Sequence, residues 1–348
     1  MKNPTALSPI KKIKVRRILI ILCGFFGDAL IVISLLEYLR RGFPDSYISC
    51  ILGSNEISPP EDTLNLFNNN PNVDQCMKAD GLILRKMVLL EPYDLAVNLI
   101  ETKGSNLIVR LSGAKIVISG FKKMPLKKPL EYKYRYFYNG RWSRDIKAGL
   151  KKDSSKLEDL LSIARVLGIR RNGIFHPKLY LSKKEEKFGS AYLKKIKNNG
   201  NDEVIIMHPG GRLTARLWDF RNYSLLADKL IARFKCKVII SCGPGERKLA
   251  ERIFRLTENK LIVLEESLRN YLAVISRSDM LISSDGGPLH MALALGIPVI
   301  GLFKNKRSLH YWYNPYRMSR LFSPVFVKEK FSPCEVDRVF IKVKDALK

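Results

Sequence analysis

Residues 281–303, LISSDGGPLHMALALGIPVIGLF, decide the fold of this chain. An apolar run from Met280 to Ile282 stops at Ser283-Ser284-Asp285-Gly286-Gly287-Pro288. His290 follows, then an alanine- and leucine-rich segment, then Gly296, Pro298 and a second apolar run from Val299 to Phe303. The order is strand, polar turn, helix, strand. Such a turn sits at the carboxyl end of its strand, where open parallel α/β sheets bind their ligands. Its glycines let backbone approach a ligand, and the new helix offers unpaired N–H groups to an anion. The turn therefore suits a phosphate or a phosphorylated sugar.

Outward from this segment, strands alternate with helices along most of the chain, which predicts mainly parallel sheets. Residues 16–23, 47–53, 93–99 and 115–120 read as strands of a first domain, with helices at 29–41 and 105–113. Residues 55–80 read as a short helix and loops. A second domain opens with the strand 203–211 and continues through strands at 237–243 and 261–265, with helices at 223–234, 246–256 and 268–277. The expected division is 1–178, 179–330, and a C-terminal helix within 331–348 packing back toward the first domain. Residues 121–152 differ from the rest. They carry 11 Lys/Arg and two acids, with Tyr132, Tyr134, Tyr136, Phe137, Tyr138 and Trp142 interleaved. They read as a mobile binding loop or a solvated crossover.

The 348 residues suffice for two domains of ordinary size. The net charge of +28 implies an acidic partner: nucleic acid, an anionic membrane surface or a phosphorylated substrate. A lysine-rich genome or a solvated surface is the plain alternative. The six cysteines are scattered without a CxxC pair, which argues against a zinc site and fits a reducing cytoplasm. The basic residues before Ile18 superficially resemble a signal peptide, but the apolar run ends at Gly27-Asp28 with no small-residue cleavage site. No run reaches the roughly 18 apolar residues that span a bilayer.

Several motifs, in order, resemble glycosyltransferase family 9, the ADP-heptose:lipopolysaccharide heptosyltransferases and their relatives. The first strand ends in Gly24-Phe25-Phe26-Gly27-Asp28, like the family's GxxGD turn. Residues 93–120 loosely match a YDLxxxL strand, a small-residue helix and a following strand. The second domain opens with His208-Pro209-Gly210-Gly211, then Arg216-Leu217-Trp218, then Gly243-Pro244-Gly245-Glu246. The block Asp285 to Pro298 matches D-[ST]-G-x-x-H-x-A-x-A-L-G-x-P. Arg216 stands where the family usually has Lys, Gly286 where it has Ser or Thr, and Lys304 where it has Gly. The resemblance implies an α/β protein of the GT-B class: two facing Rossmann-like domains with a cleft between them, acceptor on the first and nucleotide-sugar on the second.

Candidate roles combine residue chemistry with that resemblance. Asp28 is the candidate general base, deprotonating a sugar hydroxyl as it attacks the anomeric carbon. A helix N-cap is its plain structural alternative. Arg216 is the candidate for the leaving diphosphate, with Arg212 a second basic residue on the same turn. Glu246 lies just past a strand, where an acid can bind ribose hydroxyls. It can equally be a first-turn acid favoured by the helix dipole. Asp285, Gly286, Gly287 and His290 form the strongest donor-binding cluster, and His208 is a weaker member. His176 and His310 carry no motif. No metal or separate cofactor is expected.

The reading is thus a cytoplasmic, metal-independent, inverting glycosyltransferase at the inner face of the membrane. Its donor is a nucleotide-sugar, with an ADP-sugar and heptose favoured. Its acceptor is an anionic lipid-linked glycan such as a lipopolysaccharide core. The alternative is a non-catalytic protein of the same fold that binds nucleotide or glycan. A nicotinamide oxidoreductase ranks lower, because the first turn is GFFGD rather than GxGxxG. No motif specific to nucleic acid is present, so charge alone would support such a partner.

Overall fold

In the computed structural model the apolar run after Arg16 becomes β1 (Arg17–Leu22), buried from Ile18 onward. The structure describes residues 14–80, 91–100, 102–123, 131–138, 141–142, 146–147, 155–169, 176–197, 202–211, 217–313, 319–328 and 330–347. Two compact units divide the chain, Met1–Pro177 and Lys178–Lys348. Among the described residues no helix is long and apolar enough to cross a membrane.

In the first unit β1 is followed by α1 (Phe26–Gly42), β2 (Tyr47–Leu52), a 3-10 helix (Glu61–Phe67) and β3 (Gln75–Lys78). Next come β4 (Leu95–Asn98), α2 (Lys103–Leu111), β5 (Ile116–Lys123), β6 (Glu131–Tyr138), β7 (Arg141–Trp142), β8 (Ile146–Lys147) and α3 (Lys156–Val166). The sheet order is β3-β2-β1-β4-β5-β6-β7, with β8 pairing β6. Strands β1 to β5 are parallel, and β6 to β8 join antiparallel. The central strands are buried and mostly apolar, as strands of a parallel sheet covered on both faces are. The described parts of 121–152 are thus strands, not the loop or crossover expected from their charge. The signal lies in Glu131–Tyr138, EYKYRYFY, whose strict alternation has the period of a strand.

The second unit begins with α4 (Lys183–Ile196), which the sequence reading did not recognise. Its start is a capping box: Ser182 Oγ accepts from the Glu185 N–H, and Glu185 Oε2 accepts from the Ser182 N–H at 2.7 Å. There follow β9 (Val204–His208), α5 (Phe220–Phe234), β10 (Lys237–Ser241), α6 (Arg247–Leu256), β11 (Ile262–Leu264) and α7 (Leu268–Ile275). The unit closes with β12 (Met280–Ser284), α8 (Gly287–Ala294), β13 (Val299–Phe303), α9 (Lys306–Tyr313), β14 (Phe322–Phe326) and α10 (Pro333–Ala346). All its ladders are parallel, in the order β11-β10-β9-β12-β13-β14. This is the doubly wound arrangement. Its order reverses between β9 and β12, so a ligand crevice opens beyond the carboxyl ends of these two strands.

The C-terminal helix buries its apolar face in the second unit. Val336, Val339 and Val343 enter the core formed by α5 and the sheet, each contributing about 2 kcal/mol of burial. The buried Glu335 completes the anchor, accepting from Trp218 Nε1 at 3.1 Å and from the Lys328 N–H at 3.0 Å.

Candidate functional site

In the first unit the chain leaves β1 at Cys23 and turns at Gly24, whose φ of +79° favours glycine. A Cβ there would stand 3.0 Å from both Leu52 and Pro59, so the turn packs tightly against the end of β2. Helix α1 then starts at once. Its capping position belongs to Phe25, so Asp28 is not the N-cap considered above; it lies in the first turn, where negative charge meets the positive helix end. Asp28 is half-buried, and its Oδ2 accepts a hydrogen bond from the Cys23 thiol at 3.4 Å. Burial, and then the charge of Asp28, push the Cys23 thiol up to about 12, so it remains a donor. Lys156, at the start of α3, lies within electrostatic reach of Cys23. Sequence reasoning missed Cys23, which reads there only as a buried thiol.

In the second unit His208 ends β9 and is buried. Its Nδ1 is 3.1 Å from Ser241 Oγ, at the end of β10, and its Nε2 is 3.4 Å from Glu246 Oε2. Glu246 is itself the capping residue of α6, but its side chain does not cap that helix. It turns back instead, and Oε2 accepts from the Gly243 N–H at 2.8 Å. Behind this pair Tyr271 Oη, on α7, is 3.4 Å from Ser241 Oγ. Desolvation holds the His208 imidazole below the usual histidine range, and the Glu246 charge opposes that shift only in part. The balance favours the neutral imidazole.

Across the switch point, Ser283 of β12 is in register with His208 of β9. The next residues form the turn that opened the sequence argument. Asp285 is half-buried, its N–H donates to Leu302 O at 3.2 Å, and its Oδ2 accepts from Ser308 Oγ. Gly286 caps α8 in extended backbone, with φ −172°, and Gly287 opens the helix ahead of Pro288. Any residue adopts that conformation, and a Cβ on Gly286 would meet nothing nearer than 3.8 Å. The hydroxyl residue of the family pattern thus has room here. His290 is buried in α8, edge-on to Trp312 with ring centroids 5.8 Å apart.

The structure thus joins His208 to Glu246 and sets Asp285, Gly286, Gly287 and His290 on the neighbouring strand end, while Asp28 belongs to the other unit. Arg212 and Arg216 lie outside the described residues. Trp218, two positions further on, is core: it is buried, stacks edge-on against Tyr223 at 5.2 Å and donates to Glu335. Ser241, Tyr271 and Ser308 were not foreseen. Ser241 carries one weak signal, a polar residue closing an apolar strand; Tyr271 carries none.

Two doubly wound α/β units, with an acid and a glycine turn at the switch point of the second, fit the GT-B class of fold. The model of glycosyltransferase family 9 (heptosyltransferase) matches residues 83–321, and the chain belongs to that family. Lipopolysaccharide heptosyltransferase 3 of Escherichia coli K12 is 25% identical over 297 residues, covering 80% of each chain. A glycosyltransferase family 9 structure from Veillonella parvula superposes with a TM-score of 0.76 at 17% identity, over 99% of both chains. The E. coli ADP-heptose lps heptosyltransferase II gives 0.70 at 17% identity, over 95% of this chain and 98% of that one.

Proposed function

We propose that this protein is an inverting glycosyltransferase that moves a sugar from an ADP-sugar, with heptose favoured, onto a lipopolysaccharide core or a related surface glycan. The observation that carries the reading is the pair of ligand-ready strand ends in the second unit. Glu246 beyond β10 and the Asp285-Gly286-Gly287 turn beyond β12 flank the switch-point strand β9. An acid at the first suits ribose hydroxyls, and the amides opening α8 suit a phosphate. The relatives named for ADP-heptose and lipopolysaccharide make these the first donor and acceptor to test.

In this reading Asp28 takes the proton of the acceptor hydroxyl as its oxygen bonds to the anomeric carbon. The bond from that carbon to the diphosphate breaks on the opposite face, the configuration inverts, and the nucleoside diphosphate leaves. Arg216, with Arg212 as a second cation, neutralises the charge that develops on it, bidentately and in place of a metal ion. Asp285 and His290 orient the sugar. The +28 charge draws the enzyme to an anionic, lipid-linked acceptor at the inner membrane face, so the protein is assigned to the cytoplasm with peripheral attachment.

The test is transfer itself. The protein, ADP-heptose and a core-truncated lipopolysaccharide are incubated with and without magnesium, and the acceptor is weighed by mass spectrometry. Gain of one heptose, with inverted anomeric configuration by NMR and no magnesium requirement, supports the reading. Absence of transfer from ADP-heptose, with transfer from another nucleotide-sugar, removes heptose and ADP from it.

A further inference from the structure

We infer that Tyr271, Ser241 and His208 form a buried polar relay that backs the Glu246 carboxylate, so that His208 acts on the donor through Glu246 and not by touching it. The inference rests on the reading of Glu246 as the ribose-binding acid and adds the residues that make that acid usable.

Four observations carry it. Both imidazole nitrogens of His208 face protein groups, Ser241 at 3.1 Å and Glu246 at 3.4 Å, and the residue is 5% exposed, which leaves the ring no edge for a ligand. Both contacts to the Glu246 side chain, from Gly243 and from His208, fall on Oε2. Oε1 has no partner among the described residues, so one oxygen is held while the other is available. Gly210 has no side chain, and the carboxylate fills the space that a Cβ would need, 2.2 Å from Oε2 and 2.3 Å from Oε1. The contact also has a sense. Nε2 faces the Glu246 carboxylate at 3.4 Å, an ion-pair contact that favours the tautomer with its proton on Nε2 and leaves Nδ1 as an acceptor. Ser241 Oγ lies 3.1 Å from Nδ1 and also donates to Met207 O at 3.3 Å, so its one proton is shared between two acceptors. The Tyr271 hydroxyl, 3.4 Å from Ser241 Oγ, completes the chain. Burial raises the Tyr271 phenol, which keeps its proton in place.

Such a relay matters because an acid that binds a ribose diol must hold one geometry to discriminate. A carboxylate free to rotate loses much of what a fixed one gains. The experiment compares the tightest binder among ADP, UDP and GDP with its 2′,3′-dideoxy form, by calorimetry. The wild-type protein is expected to favour the ribose form by about tenfold or more, the scale of a hydrogen bond to a charged group. Glu246→Ala abolishes that ratio. His208→Ala abolishes it too, His208→Gln keeps most of it by presenting an amide N–H toward Glu246, and the double variant is no worse than either single one.

Loss of the ratio in Glu246→Ala with its full retention in His208→Ala overturns the relay and leaves the ribose reading standing. No discrimination in the wild-type protein, an unchanged ratio in Glu246→Ala, or no binding of any of the three nucleotides overturns the ribose reading and the relay with it. If His208→Ala does not fold, Ser241→Ala and Tyr271→Phe decide the matter. Each removes a proton donor at little change of volume, and each is expected to cut the ratio severalfold. An unchanged ratio in both overturns the relay.

Discussion

Glu246 and Gly210 compete for the same space. The Glu246 carboxylate turns away from the helix it begins and lies over Gly210, at 2.2 Å from where a Cβ would stand. The glycine of the HPG motif is therefore a seat for an acid 36 residues later in the chain. The backbone amide of Gly243 fastens that acid from the other side at 2.8 Å.

Gly210→Ala follows directly from this relationship. The added methyl evicts the carboxylate, breaking its hydrogen bond from Gly243 and its contact with His208. Nucleoside diphosphate affinity is expected to fall about tenfold. Stability should fall by only about 1 kcal/mol, because what moves is the end of a flexible side chain. Calorimetry and thermal melts read the two effects separately. Unchanged affinity would show that the seat has no part in donor binding.

Asp28→Asn tests the base. The amide keeps the shape and can still face Cys23, but cannot take the hydroxyl proton. The expected result is a loss of about 100- to 10,000-fold in kcat, with donor affinity held. The melting temperature should shift by only a few degrees, since a first-turn charge is worth about 0.3–1 kcal/mol. Near-normal kcat would remove Asp28 from the chemistry.

Gly286→Ser is expected to be tolerated. The position has extended backbone and open space around its would-be Cβ, and it caps α8 without a side-chain hydrogen bond. A serine hydroxyl there can accept from the first-turn amides, adding a few tenths of a kcal/mol. A melting temperature equal to or slightly above that of the parent is predicted. A large drop would contradict the geometry of this turn.

The acid limb of the stability curve should run through Glu185. Arg269 on α7 grips its carboxylate at 2.7 Å, and the capping amide of Ser182 adds to this, holding the group at about 2. A carboxylate with its folded value depressed stabilises above its unfolded value, here near 4.5, and that contribution vanishes as pH falls toward 2. After allowance for solvent screening it amounts to about 2 kcal/mol. Denaturation of Glu185→Gln between pH 7 and pH 2 should show a lower plateau at neutral pH and a flatter acid limb. An unchanged limb would mean that this pair is electrostatically idle.

Much of the fold was legible because parallel strands buried on both faces announce themselves as apolar runs. The run 299–303 became β13 over the same residues, and 47–53 became β2 one residue shorter. The turns at 24–28 and 285–287 were legible for a related reason: glycine beside an acid just past such a run leaves few other readings. What was missed had weaker local signals. Strand β14 contains Pro324, which argues against a central strand, and it lies at the edge of its sheet. Strand β6 hid behind its charge, although its alternation was plain. The relay behind Glu246 was not legible at all. It joins residues from two strands and two helices, spread over 63 positions from His208 to Tyr271, and only the sheet order brings them together.

The measurement that bears most directly on the central claim is calorimetric titration of the protein with ADP, UDP and GDP, with and without magnesium, repeated for Arg216→Ala. The account predicts that ADP binds in preference to the other two, that magnesium changes little, and that the substitution weakens binding about tenfold or more, as loss of a bidentate charge pair should. Preference for UDP or GDP, or binding that requires magnesium and ignores the loss of Arg216, would contradict it.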